Sequence, residues 1–362
     1  MRILLVTGSY PPMHCGVGDY THRLALALSS MPGMSVAVLT SKSAGVVTDD
    51  VPSPITLLPL METWSAVEAW KLVSAVREWK PDLLHIQLPT LGYGKGLLPF
   101  VAPLLARLVG VNSVLTWHEP LARRNAPFLL LRRALRTPVV VVRPNYASLL
   151  HTQLRRLVPA NTLTYIPNAS PIPRAQLTPE GRAEIRHKYC KGQARLVVYF
   201  GFLYRHKGVD LVFDAADPST DHILIVGDSD QQAYKRELRG AAEAERWRGK
   251  VTFAGFLPAP DVASILAAAD VVLLPFRLGG GAWNTSLHSA RLNGAYTVTT
   301  STTVTGYDAT SHVTFVGVDA IDQMREAVRV VPPLPTAVSA PPGWEQIALA
   351  HRHVYQSACS LR

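Results

Sequence analysis

The chain has 362 residues, 48% of them hydrophobic, with 36 Lys and Arg against 26 Asp and Glu for a net charge of +10. That length suits about two domains with separate cores, and the basic excess favours acidic partners: nucleotides, phospholipid headgroups or nucleic acid. Cys15, Cys190 and Cys359 are scattered and no window nears the ~18 uninterrupted apolar residues of a membrane span, so a disulfide scaffold, a cysteine metal site and a transmembrane helix are excluded and a reducing, cytoplasmic setting is expected.

The opening run MRILLVTGSYPP meets Gly8 and Pro11 at once, so no signal peptide is expected, and the sequon at Asn284 is not expected to carry a glycan. Short apolar runs then recur as predicted strands: Arg2 to Val6, Ser35 to Thr40, Asp82 to Ile86, Ser113 to Thr116, Pro138 to Val142 and Thr162 to Ile166. Helical patterns at Tyr20 to Ser29 and Ser65 to Trp79 lie between them, which predicts a parallel α/β sheet covered on both faces.

After the first strand, Gly16 and Gly18 would let a ligand approach the backbone at the carboxyl edge of the sheet. A nicotinamide fingerprint is not met, because position 21 is Thr and the second strand ends in Thr40 and Ser41. His118 follows a strand in LTWHEP, where it can touch a substrate or serve a structural role. Nine arginines between Arg107 and Arg156, against one acid, Glu119, flank the apolar stretch Pro127 to Leu131. Arg123, Arg124, Arg132, Arg133 and Arg136 read either as the cationic rim of a membrane-surface helix or as solvated helix faces. Nucleic acid is not expected, since no recognition motif or interleaved aromatics accompany the charge.

The rhythm halts at YIPNASPIP, Tyr165 to Pro173, where the domain boundary is placed, and a charged helix follows near Pro179 to Tyr189. It restarts at Arg195 to Phe200, His222 to Val226, Val251 to Ala254, Asp270 to Pro275, Tyr296 to Thr300 and His312 to Phe315. Within the first of these, VVYFGFLYRHKGVD reads as strand, cationic loop with Arg205, His206 and Lys207, then helix, a place for a diphosphate or simply a basic turn. The segment from Gly279 to Ser301 puts three glycines before Asn284, Thr285 and Ser286 and a further helix, able to hold phosphate or sugar or to be an ordinary capped helix. Val331 to Gly343, with five prolines, reads as a linker, and Trp344 to Ser357 as an amphipathic helix docked on a body.

These pieces together resemble the family-4 glycosyltransferases of the GT-B fold, nearly end to end. The carrying residues are YPPMHCGVGDY, PDLLHIQ, His118, IPNAS, YFGFLYRHKGVD, VTFAGFL, LLPF, LNGAYTVTT and the terminal WEQIA helix. The resemblance implies an acceptor-side Rossmann-like domain over 1–168, a nucleotide-sugar-binding one over 169–339 across a cleft, and a helix over 340–362 crossing back to the first. It also implies that Lys207, assisted by Arg205, neutralises a departing diphosphate and that Gly16 and Gly18 close over it. His118 would contact the donor sugar, and Phe256 and Leu257 would line the base pocket.

Two departures stand out. Phe202 replaces the arginine of the family's G-R-L, and its paired glutamates fall here on Gly281 and Ser289. Asn284, Thr285, Ser286, Ser289 and His288 are the residues left near the donor. The expected function is retaining, metal-independent transfer of a hexose from a nucleotide diphosphate sugar, UDP placed ahead of GDP. The expected acceptor is a lipid-phosphate-linked or other anionic glycan met at the membrane surface, as in polysaccharide or glycolipid assembly. The alternatives are a catalytically weak GT-B partner subunit and a nucleotide-sugar epimerase.

Overall fold

The computed structural model describes residues 1–44, 54–190, 194–335 and 338–360. It forms two compact units, Met1–Asn168 with Pro342–Arg362, and Ala169–Pro341. Among the described residues, the first holds a parallel sheet of β1 (Arg2–Val6), β2 (Ser35–Ser41), β3 (Ile55–Met61), β4 (Leu83–Leu88), β5 (Asn112–Trp117), β6 (Val139–Val141) and β7 (Leu163–Tyr165). Their order is β3-β2-β1-β4-β5-β6-β7. The second sheet runs β10-β9-β8-β11-β12-β14-β13. It comprises β8 (Arg195–Phe200), β9 (Asp221–Val226), β10 (Val251–Gly255), β11 (Val271–Leu274), β12 (Thr297–Ser301), β13 (Gly306–Asp308) and β14 (Val313–Gly317). All its pairings are parallel except the antiparallel β13 on β14.

The helices of the first unit are α1 (Gly16–Ser29), α2 (Ala69–Trp79), α3 (Leu98–Leu108), α4 (Ala126–Ala134), α5 (Tyr146–Leu149) and α6 (Thr152–Arg155). The second unit has α7 (Pro179–Cys190), α8 (Val212–Ala215), α9 (Gln232–Glu243), α10 (Ala259–Ala268), α11 (Thr285–Leu292) and α12 (Ile321–Arg329); α13 (Trp344–Cys359) returns to the first, against α1 and β5. The expected doubly wound α/β pair is therefore present. Continuous apolarity has the cause given for it: every residue of β11, VVLL, is buried, as a strand covered on both faces must be.

Two strands escaped the sequence reading. β3 contains Pro59 and lies at the sheet edge, where a missing N–H costs no ladder bond. β13 is three residues long. The helix expected straight after Lys207 is also corrected. Arg205–Lys207 and Val209–Leu211 are 3₁₀ turns, and α8 spans only Val212–Ala215. Gly208, at φ +69°, breaks the helical course, so the cations of this loop do not stand on a long helix dipole. In the proline-rich linker, Thr336 and Ala337 lie outside the described residues, while Ser339 bonds Thr310 and Arg291 of the second unit.

Candidate functional site

At the carboxyl edge of the second sheet, glycines let successive turns touch. Gly201 N donates to Val226 O at 3.0 Å and Gly227 N to Gly255 O at 2.8 Å. A Cβ on Gly227 would stand 2.0 Å from Gly201 O, so the β8 and β9 turns meet backbone to backbone. Gly208 matters in the same way: its Cβ would lie 2.0 Å from Pro275 O, which pins the cationic turn onto the end of β11. Arg277 N tightens that junction by donating to His206 O at 3.1 Å.

On this platform Lys207 is half-buried, its ammonium 5.0 Å from the centre of the Phe276 ring. Arg205 points elsewhere: it pairs with Glu237 of α9 and lies 4.8 Å over the Tyr234 ring. Tyr234 donates to Asp210 at 2.5 Å, and Asp210 pairs with Arg277, so the turn is braced from α9. Phe202 meets Phe256 edge-on at 6.1 Å and stacks near Tyr204 at 5.7 Å. An aromatic surface thus stands where the family's arginine would. Leu257 is half-buried against the core of this unit.

The start of α11 adjoins the β8 turn, since Ser286 Oγ would sit 3.1 Å from a Cβ on Gly201. Lys207, Phe202 and Phe256, carried on turns, and Ser286, at the start of α11, therefore meet at one sheet edge. Asn284 occupies the N-cap of α11 but makes no side-chain cap bond; its Oδ1 instead accepts from Gly281 N at 2.8 Å, shaping the glycine loop, with Thr285 following it half-buried. His288 Nε2 donates to Ala282 O at 2.8 Å, while the buried Nδ1 has no partner among the described residues, and burial lowers its pKa.

Ser289, one turn beyond Thr285 along α11, is set differently. It is fully buried, donating to Thr285 O at 2.9 Å and lying 3.0 Å from the Ser170 hydroxyl. The hydroxyl is thus turned back into its own helix and towards Ser170.

In the first unit Gly18 is required by packing, because its Cβ would come 2.9 Å from Ser9 O, whereas a Cβ on Gly16 meets nothing within 4 Å among the described residues. Asp19, in the first turn of α1, is pushed up to about 6 by burial, against the pull of Arg23 and His14. His118, at the end of β5, is 7% exposed; its Nε2 lies 2.8 Å from Gln87 Oε1 and its ring meets Tyr20 edge-on at 4.8 Å. Burial, helped by nearby His351, holds it at about 3, so the imidazole is neutral.

Around it runs a buried polar network that the sequence reading missed. His85 Nδ1 lies 2.8 Å from Tyr355 Oη and its Nε2 2.7 Å from Thr116 Oγ1, while Tyr20 packs edge-on against Trp344 of α13 at 5.3 Å. The available signal was His85 and Gln87 inside a strand otherwise fully apolar, two residues apart and hence on one face.

The arginine cluster divides. Arg123, Arg124, Arg133 and Arg136 are exposed. Arg132 is corrected: it is 8% exposed, its Nε donates to Thr137 O at 2.9 Å and its Nη2 to Thr162 O at 3.2 Å, so it ties α4 to the chain before β7. The apolar stretch is corrected too. Leu129 is buried and Phe128 stacks on Phe100 at 4.7 Å, which leaves Leu130 as the exposed large apolar side chain of α4. No helix among the described residues is long and apolar enough to cross a membrane.

Residues 15–170 match the family described as Glycosyltransferase Family 4, and residues 194–330 match Glycosyl transferases group 1. The 2-deoxystreptamine glucosyltransferase of Streptomyces kanamyceticus is 26% identical over 62% of this chain and 62% of its own length. The GDP-mannose-dependent alpha-(1-6)-phosphatidylinositol monomannoside mannosyltransferase of Mycobacterium tuberculosis is 27% identical over 77% and 74%. The chain spans 62% and 57% of the length of the two 2-deoxystreptamine transferases it matches. Among solved structures, Anabaena Alr3699/HepE in complex with UDP and glucose superposes with a TM-score of 0.71 over all of both chains at 15% identity. The two family matches fall one on each unit, and the chain belongs to the family-4, group 1 glycosyltransferases with the GT-B fold.

Proposed function

We propose that this chain transfers a hexose from a nucleotide diphosphate sugar to an acceptor hydroxyl, with retention and without a metal. The observation that carries the reading is Lys207, held by a 3₁₀ turn that Gly208 pins to Pro275 beside the glycine turns of β8 and β9. A diphosphate gains charge as the glycosidic bond breaks, and a prepositioned cation stabilises that charge more than it stabilises the bound donor. Arg205 assists by keeping the turn in place through Glu237. Phe202, Phe256 and Leu257 serve the base and Asn284, Thr285 and Ser286 the sugar-phosphate side, while Gly16 and Gly18 let a ligand approach the backbone of the first unit closely.

Thermal unfolding of the purified chain with UDP, GDP, ADP and dTDP, metal omitted, tests the donor. UDP, found in the HepE structure, is placed ahead of GDP, which the mycobacterial relative's name carries. Ligand at 100 times its dissociation constant stabilises the folded state by about 2.7 kcal/mol. A flat response to all four overturns the reading. Gly16→Ala is expected to weaken the responding nucleotide without lowering the unliganded Tm, since its Cβ meets no atom of the described residues within 4 Å.

The acceptor is proposed to be lipid-phosphate-linked or otherwise anionic, as in polysaccharide or glycolipid assembly, met by a peripheral protein on the cytoplasmic membrane face. The exposed Arg123, Arg124, Arg133 and Arg136 support it. Each basic residue near an anionic surface contributes about 1 kcal/mol. Changing these four to Glu is expected to abolish co-sedimentation with anionic vesicles, and unchanged sedimentation would remove the membrane from the proposal.

The second reading is a catalytically weak partner subunit. Ser289 favours it, because neither glutamate position offers a carboxylate and this one is sealed.

A further inference from the structure

We infer that Gln87 is the positioning residue of His118, fixing its tautomer and orientation, and that Gln87 is itself set from the last helix through His85 and Tyr355. The inference rests on the donor-sugar contact that the family resemblance implies for His118. Gln87 is fully buried, and its carboxamide spans two imidazoles: Oε1 is 2.8 Å from His118 Nε2, and Nε2 is 3.2 Å from His85 Nε2. A carboxamide accepts at one end and donates at the other, so it imposes opposite roles on the two rings. His118 donates at Nε2. His85 accepts at Nε2, where the Thr116 hydroxyl also lies at 2.7 Å, so the His85 proton sits on Nδ1 and is donated to Tyr355 Oη at 2.8 Å.

The end of this chain lies on α13, more than 200 residues away in sequence. There His351 Nδ1 donates to Ile347 O at 2.8 Å, which leaves its Nε2 to accept from the Tyr20 hydroxyl at 3.4 Å. Tyr20 is the residue whose ring meets His118. Both sides of the His118 imidazole, the hydrogen-bonded edge and the Tyr20 contact, thus trace back to α13.

With Nε2 committed to Gln87, His118 Nδ1 is the acceptor left for a ligand hydroxyl. The groups that face the ring from packed elements are Tyr20 of α1, His85 and Gln87 of β4, and His351 of α13. On its own segment the His118 carbonyl accepts from Arg143, which pairs with Glu119. Among the described residues, none against the ring itself is a carboxylate, and neutral His118 follows from that as well as from burial.

The test combines nitrogen-resolved NMR of histidine-labelled full-length protein with steady-state kinetics, the His118 signal being assigned by its loss in His118→Asn. Wild type is expected to show the neutral Nε2–H tautomer with no titration between about pH 5.5 and 8. Gln87→Leu is expected to lose that fixed tautomer and to lower kcat roughly 10²-fold, with KM for the donor little changed. Gln87→Glu keeps an acceptor at Nε2 but adds charge that favours imidazolium. Activity is then expected to recover at high pH and to fall as pH drops through the raised pKa of His118, since protonation removes the Nδ1 acceptor. Tyr355→Phe is expected to shift the His85 signal and lower kcat less.

An unchanged His118 tautomer and unchanged kcat in Gln87→Leu would overturn the inference. If that variant does not fold, Gln87→Glu decides: the absence of both a new acid limb and a raised His118 pKa overturns it. Full turnover in His118→Asn would instead remove the sugar contact, while the tautomer signals still report whether Gln87 positions the ring.

Discussion

Replacing Lys207 with alanine is expected to lower kcat/KM for sugar transfer by about 10²–10³-fold, the range seen when one prepositioned group that stabilises transition-state charge is removed. The expected loss lies mainly in kcat, because the charge on the leaving diphosphate peaks after binding. Stability should change little: the cation–π contact with Phe276 at 5.0 Å contributes only about 0.5–1 kcal/mol at a part-exposed site. Lys207→Arg separates charge from shape and is expected to recover part of the rate. Normal turnover in Lys207→Ala would sink the diphosphate assignment. Arg205→Ala serves as the comparison, since Arg205 faces Glu237 and Tyr234, and a smaller loss is expected there.

Glu68→Gln is expected to destabilise the first unit by about 3 kcal/mol at neutral pH. The carboxylate, 6% exposed, accepts from the N–H groups of Glu62 at 3.0 Å, Thr63 at 2.7 Å and Trp64 at 2.9 Å, and pairs with Lys71 at 2.6 Å. Burial pushes its pKa up, but Lys71 and these three amides outweigh it and hold the group at about 2, against an ordinary 4.5. At about 1.4 kcal/mol per pH unit that difference gives the expected loss. Because the folded value is depressed, this stability is complete above about pH 4.5 and is lost as pH falls from there towards 2. Urea unfolding of wild type and variant at pH 7 and pH 3.5 checks it. The gap should narrow at the lower pH, and equal midpoints at pH 7 would refute it.

The βα rhythm was readable because central runs such as Ile3 to Val6 or Val271 to Leu274 are unbroken and apolar, with no surface to spend polar residues on. Arg132 misled for the opposite reason: five arginines close together look alike in sequence, and only the neighbouring carbonyls of Thr137 and Thr162 distinguish the buried one from its exposed companions. Lys207 could be singled out, but not its support, since the pinning of Gly208 on Pro275 joins segments 67 residues apart. Glu68 gave no signal at all. A carboxylate at the start of a helix is common, and what sets this one apart is the loop from Glu62 to Trp64 folding its amides onto it.

The return of α13 to the first unit also bears on how the protein is made. The second unit is one continuous stretch, Ala169–Pro341, whereas the first needs residues from Pro342 onward to cover β4 and β5. On a ribosome, where domains fold as they emerge, the unit that is translated first is the one that finishes last. Until α13 has emerged, His85 lacks its partner, a buried imidazole waiting on an acceptor encoded 270 positions downstream. Nascent chains halted before Trp344 should therefore show a protease-resistant second unit and a first unit still open to cleavage.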